Sequence, residues 1–178
     1  MSKTILITGA TSGFGEAMAH VFAAAGNKLI ITGRKESLLS GLQEILVAKH
    51  NASVHTLCFD VQNKEAVFAA INTIPDAFKN IDVLINNAGL ALGRDAFQDA
   101  NLDDWETMID TNVKGLLYVS KAVLPLLIHN KKAHIINIGS TAGVEVYKEG
   151  NVYCASKHAV AAISKSMRID LLPHHIKV

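Results

Sequence analysis

A β-rich run, Thr4 to Thr8, passes directly into Gly9-Ala10-Thr11-Ser12-Gly13-Phe14-Gly15, then into a helical pattern through Ala25 closed by Gly26. Strand, glycine loop and helix in that order admit few folds. The arrangement aims backbone N–H groups and a helix N-terminus at a phosphate, with glycines where the chain turns and where a pyrophosphate approaches closely. A triphosphatase-type phosphate loop is excluded, because no Gly-Lys-Ser/Thr ends the stretch.

The rest of the chain keeps the same alternation. Strand patterns at Lys28 to Thr32, Ser53 to Phe59, Ile81 to Ile85 and His134 to Ile138 are separated by helical patterns near 35–49, 63–75 and 102–128, and a last helix spans about 152–172. Such alternation predicts an α/β fold: a Rossmann-type doubly wound parallel sheet with helices on both faces. The 178 residues suffice for one filled core and not for two, so residues 1–178 read as a single dinucleotide-binding domain. Apolar residues make up 49%, mostly Ala, Ile, Val and Leu, as a buried parallel sheet requires.

Several partners are disfavoured. Seventeen basic and sixteen acidic residues leave a net charge of +1, with no basic stripe for nucleic acid. Cys58 and Cys154 form no CxxC and no histidine stands at ligand spacing, so no metal is expected and both thiols read as reduced in a cytoplasmic protein. Met-Ser-Lys-Thr leads straight into a strand without the features of a signal peptide. The apolar tract Leu116 to Ile128 is interrupted by Tyr118, Ser120, Lys121 and Pro125, so no membrane span is expected.

Candidate chemistry collects at predicted strand ends. Arg34 follows the second strand, about twenty residues beyond the glycine loop, where such folds read the adenosine ribose. An arginine there makes paired charge-assisted bonds to a 2′-phosphate and favours NADP, although Glu36 is nearby and Arg34 could also simply open a solvated helix. Asp60-Val61 follows the third strand, where Asp60 could equally be a turn residue. Asn86-Asn87-Ala88-Gly89 follows the fourth, and its amides need partners to tie the loop beside a cofactor. Ser140 follows the fifth strand. Tyr153 and Lys157 lie four residues apart on one helix face. One ammonium ~5 Å from a phenol at an effective dielectric of about 20 contributes roughly 3 kcal/mol, enough to lower the phenol by a little over two pKa units. A second cation, such as an oxidised nicotinamide, would complete the activation of Tyr153 as an acid and base. Asn112 lies inside the helical pattern and reads, on local grounds, as a solvated helix residue.

Taken in order, Thr8-Gly9-x-x-x-Gly13-x-Gly15, Asp60-Val61, Asn86-Asn87-Ala88-Gly89, Asn112, Ser140 and Tyr153-x-x-x-Lys157 resemble the NADP-dependent short-chain dehydrogenases/reductases over the whole chain. The resemblance implies that Tyr153 is the general acid/base, Lys157 lowers its pKa and binds the nicotinamide ribose, Ser140 orients the substrate oxygen, and Asn112 anchors a water-mediated proton relay. This replaces the local reading of Asn112. It further implies that Gly9, Thr11, Ser12, Gly13, Phe14 and Gly15 cradle the pyrophosphate, Arg34 meets the 2′-phosphate, Asp60 and Val61 lie by the adenine, and Asn87, Ala88 and Gly89 line the adenosine side. Gly13-Phe14-Gly15-Glu16, Asn86 to Gly93, Asp104-Trp105-Glu106 and Asn137 to Gly143 look most like the 3-hydroxy acid dehydrogenases, which also oxidise β-hydroxy amino acids such as serine. Relatives of this kind assemble as homo-oligomers, dimers or tetramers, through the two long helices.

The chain departs from that family in length. It stops at Ile176-Lys177-Val178, at the start of an expected sixth strand, so the C-terminal strands and the substrate loop are expected to be missing from a fragment of a longer protein. Two other readings stay open: a reductase of the same family for a 3-oxoacyl thioester or ketone, and a cofactor-binding protein without turnover. Arg94 and Lys148 are the basic residues nearest the expected substrate side.

Overall fold

The computed structural model describes residues 2–130 and 132–178. Among these, five strands form one parallel sheet in the order β3-β2-β1-β4-β5: β1 Thr4–Ile7, β2 Lys28–Gly33, β3 Val54–Cys58, β4 Val83–Asn86 and β5 His134–Asn137. The order runs outward in one direction from β1 through β3 and in the other through β5. The carboxyl ends of β1 and β4 therefore flank the point where the winding reverses, the place where open α/β sheets hold ligands.

Period-two alternation explains the two cores. On β1, Leu6 stands level with Ile30 and Leu84, and Leu84 with Ile135; these residues face Val67 and Ile71 of α3 (Lys64–Asn72) and Val119, Val123 and Leu127 of α5 (Leu116–Asn130). Ile5 and Ile7 point the other way with Leu29, Ile31, Val83 and Ile85, against Ala19 and Ala23 of α1 (Gly13–Ala24) and Leu39, Leu42 and Leu46 of α2 (Glu36–His50). Each such side chain, wholly removed from water, contributes roughly 1.5–3 kcal/mol of hydrophobic stabilisation. Strands buried on both faces need apolar residues at every position, which β1 has in Ile5-Leu6-Ile7.

Local signals set most ends. Asn63 caps α3 by accepting from Ala66 N at 2.9 Å, as its position predicts. That helix closes at Asn72, earlier than Pro75 suggests, and a short 3₁₀ turn at Asp76–Phe78 carries the chain on. The helical pattern near 102–128 is not uniform: α4 (Leu102–Ile109) and α5 are joined by a π-helical turn, Asp110–Gly115. The whole run Leu102–Asn130 is long and apolar enough by length and composition to cross a bilayer, but half of its most apolar stretch is buried inside the protein. The last helix, α6 (Asn151–Asp170), lies on the same sheet face as α5, where Ser164 accepts from Asn137 Nδ2 at 2.8 Å. Beyond it, Lys177 pairs in parallel with His134 alongside β5, and Ile135 N donates to Lys177 O at 2.8 Å.

Candidate active site

The carboxyl ends of the strands open onto a cleft of about 600 Å³ lined by residues from every β–α connection. At one wall, the loop after β1 turns through Gly9 and Gly13, both at positive φ, into the N-terminus of α1. Gly15 lies behind the loop. A Cβ there would run into the Gly9 carbonyl oxygen and stand 2.6 Å from Asn87 Nδ2, so only glycine lets the helix approach this closely. The loop after β4 is laced to the same wall: Asn87 Nδ2 donates to the carbonyls of Thr8 (2.9 Å) and Gly9 (3.0 Å), while Thr8 Oγ1 accepts from the N–H groups of Asn87 and Ala88, both at 3.0 Å. Ser12, Gly13 and Phe14 at the start of α1 line the cleft, and no side chain caps this helix N-terminus, where a negative charge is favoured.

The far end of this wall is cationic. Arg34 extends beside Asp60, with Nη1 3.7 Å from Oδ2, and its side chain is 62% exposed. Asp60 is also a turn residue that lines the cleft: its Oδ1 accepts from Gln62 N at 3.0 Å. Thr11, Ser12, Phe14, Val61, Ala88 and Gly89 also line the cleft, and Phe14 is 77% exposed.

Ser140, Tyr153 and Lys157 line the opposite wall. Ser140 Oγ accepts from Ala142 N at 3.1 Å, which leaves its hydroxyl proton free to donate into the cleft. The turn that follows presses on α6, where a Cβ on Gly143 would stand 2.7 Å from the Lys157 carbonyl oxygen. This contact sets Ser140 against the Tyr153–Lys157 helix. The Lys157 Nζ lies 5.9 Å from the centre of the Tyr153 ring and donates to Ile138 O at 2.9 Å. Burial pushes the Lys157 ammonium below its ordinary value.

Asn112 does not line the cleft. It sits in the π turn, 2% exposed, where its Oδ1 accepts from Leu90 N and its Nδ2 donates to Leu90 O, both at 2.8 Å, and to Ser156 Oγ at 3.0 Å. The local expectation of a solvated helix residue fails here, because Asn112 lies on the buried face of the run, four residues from both Met108 and Leu116, and finds its partners in the Leu90 backbone and Ser156. The side chain clamps the loop after β4 to α6. Gly89 lies where these groups meet: a Cβ on it would be 3.2 Å from Asn112 Oδ1 and 3.7 Å from Lys157 Nζ.

Sequence reasoning passed over Thr111, Leu90 and Ile138, which line the cleft, and Ser156, which is fully buried behind it. Ser156 Oγ accepts from Asn112 and donates to Tyr153 O at 2.8 Å. Its signal was its position, three residues after Tyr153 on the buried face of the same helix. A second buried ladder, in which Asn86 Nδ2 donates to Ser120 Oγ (2.9 Å) and Asn137 Oδ1 (2.8 Å), stiffens the ends of β4 and β5 below the cleft. Among the described residues no cluster of three His, Cys, Asp or Glu side chains could hold a metal ion.

The comparisons with known proteins agree with this geometry. The model of the short chain dehydrogenase family matches residues 3–178. The NADP-dependent 3-hydroxy acid dehydrogenase of Salmonella typhi is 47% identical over 167 residues, which cover 94% of this chain and 66% of that protein. Sulfoacetaldehyde reductase 2 of Chromohalobacter salexigens is 48% identical over 179 residues, covering all of this chain and 70% of that one. The closed form of a serine dehydrogenase complexed with NADP+ superimposes with a TM-score of 0.87 at 46% identity, over 94% of this chain and 66% of that one. The chain thus spans about two thirds of the length of the relatives it matches. With a family match over nearly its full length and the strand-end cleft that match requires, the chain belongs to the short chain dehydrogenase family.

Proposed function

We propose that the protein is an NADP-dependent oxidoreductase that moves a hydride between the nicotinamide and the hydroxyl-bearing carbon of a 3-hydroxy acid or β-hydroxy amino acid. The observation that carries this reading is the convergence of Ser140, Tyr153 and Lys157 on the cleft that the glycine loop and Arg34 also line. The residues present fit a pyridine dinucleotide: a helix N-terminus and Gly-rich loop for the pyrophosphate, Asp60 and Val61 for the adenine, and Arg34 for the 2′-phosphate. When bound, the dinucleotide supplies or takes up the hydride.

In the oxidation direction, Ser140 donates a hydrogen bond to the substrate oxygen and holds it toward Tyr153. The Tyr153 phenolate takes the hydroxyl proton as the C–H hydride leaves the same carbon, and a carbonyl forms; reduction returns the proton by the same path. Lys157 stabilises the phenolate by its charge and would hold the nicotinamide ribose with the N–H bonds not spent on Ile138. Asn112, through its bonds to Leu90 and Ser156, holds the proton route behind the phenol.

A second substrate reading has its own support. The 48% identity to sulfoacetaldehyde reductase 2 favours reduction of a short aldehyde carrying a sulfonate, which shares with a 3-oxo acid an anionic group near the carbonyl. Rates with NADPH on sulfoacetaldehyde and on 3-oxo acids, set against simple ketones and 3-oxoacyl thioesters, separate these substrates. Preference for an uncharged ketone or a thioester would overturn the acid reading, and binding of NADPH without turnover on any carbonyl would leave a non-enzyme.

The same reading makes the protein cytoplasmic, since both cysteines are free, Cys58 at the surface and Cys154 buried. It also makes it a homo-oligomer, a tetramer built on the outer faces of α4 to α6. Leu102, Leu117 and Ile169 are exposed there, beside a groove between Trp105, Ile109, Lys114, Val152 and Ala155. Light scattering on the purified protein tests this, and a monomer at micromolar concentration would refute it.

A further inference from the structure

The adenosine side of the cleft and the π turn that carries Asn112 touch at two points, and neither contact was expected from the sequence. Asp60 and Val61 line the cleft, and the turn they begin aims the next side chain away from it: Asp60 Oδ1 accepts from Gln62 N at 3.0 Å and Asp60 O from Asn63 N at 3.1 Å. Gln62 Nε2 then donates to Thr111 Oγ1 at 2.7 Å. Thr111 is 7% exposed, lines the cleft and immediately precedes Asn112. At the end of the π turn, Val61 packs so closely on Gly115 that a Cβ there would stand 2.7 Å from Val61 Cγ2.

A π turn is a rare and intrinsically poor alternative to a continuous α-helix, so contacts from outside the helix must favour it. Here they come from the Leu90 backbone, which holds Asn112, and from the residue 60–62 turn, which holds Thr111 and Gly115. We propose that Gln62 is a positioning residue, whose amide locks the π turn to the adenosine-side turn and thereby sets Asn112, and through Ser156 the Tyr153 backbone, for hydride transfer. The proposal rests on the functional reading above in taking residues 60–61 as the adenosine side. Gln62 touches neither the phenol nor the reacting atoms.

The test compares the parent protein with Gln62→Ala, Gln62→Glu and Thr111→Val by amide hydrogen exchange without cofactor, then by NADPH titration and steady-state kinetics. In Gln62→Ala the amides of residues 110–115 are expected to exchange about fivefold faster, the worth of one side-chain hydrogen bond, with β1 and β4 unchanged. The same variant is expected to lower kcat by about fivefold with KM for the carbonyl substrate within about twofold, since the bond acts on geometry rather than on substrate binding. Gln62→Glu can accept from the Thr111 hydroxyl and is expected to recover most of both effects, and Gln62→Ala combined with Thr111→Val should behave like either single variant. Unchanged exchange at 110–115, acceleration spread equally over the sheet, or additive losses in the double variant would each overturn the proposal. A parent protein that binds NADH as tightly as NADPH contradicts the cofactor reading instead; the exchange data, taken without cofactor, still judge Gln62.

Discussion

The two walls of the cleft are built from different material. The wall of β1, α1 and β2 is made of backbone: glycines at positive φ, a bare helix N-terminus, and a single long cation, Arg34, reaching in from the rim. The wall of the π turn, β5 and α6 is made of buried side chains that satisfy one another, Asn112 to Leu90 and Ser156, Ser156 to Tyr153, and Lys157 to Ile138. A wall of backbone binds by shape and dipole and fails when it is filled. A wall of paired polar groups fails when one partner is removed, because the other is left buried and unpaired.

Filling the first wall should give the largest change. Gly15→Val places atoms on the Gly9 carbonyl oxygen and Asn87, and overpacking of this kind is expected to weaken NADPH binding by about 100-fold or more, read by cofactor fluorescence titration. Arg34→Ala removes a cation without filling anything, so NADPH should weaken by about 10- to 100-fold while NADH changes little. Equal losses for both cofactors would show that Arg34 does not read the 2′-phosphate. On the second wall, Asn112→Ala leaves the N–H and C=O of Leu90 without their partner and should cost about 2 kcal/mol in denaturant unfolding, with NADPH affinity within about threefold of the parent. A large loss of cofactor affinity in that variant would erase the distinction between the walls.

The smallest effect is a dependence on pH. Burial holds the Lys157 pKa in the folded state below its ordinary 10.5, so the unfolded chain binds the extra proton in the window between the two values. The lysine therefore costs stability at neutral pH, and its contribution improves as pH rises through the depressed value toward 10.5. Lys157→Met should flatten that alkaline gain in thermal midpoint relative to the parent. An unchanged slope would mean that the ammonium is not desolvated.

The backbone wall was the more legible in sequence, because a strand followed by Gly9, Gly13 and Gly15 has few conformations and one obvious ligand. The proposed catalytic residues Ser140, Tyr153 and Lys157 were legible as chemistry from their spacing and from the strand ends. Their supports were not. Asn112 read locally as a surface residue, because an amide inside a helix competes with the backbone unless it has a partner, and its partner, the Leu90 backbone, lies 22 residues away in sequence. Thr111 and Gln62 gave no signal, and Ser156 only its place on the helix of Tyr153, since a hydroxyl or amide declares its role through a partner distant in sequence. Gln62 and Thr111 are 49 residues apart, and Asn112 and Ser156 are 44. The edges of elements shifted for local reasons: β4 begins at Val83, because Asp82 accepts from Thr4 N with its side chain and from His134 N with its carbonyl ahead of the ladder.

In the proposed division of labour, Tyr153 moves the proton while the opposite wall holds the cofactor. This division is tested most directly by Tyr153→Phe, measured twice on the same preparation: NADPH affinity by fluorescence titration, and hydride transfer by loss of NADPH absorbance with a 3-oxo acid. Affinity is expected within about twofold of the parent, with a rate lower by about 10²–10⁴-fold, the range that positioned acid–base groups contribute. A near-normal rate in Tyr153→Phe would contradict this division.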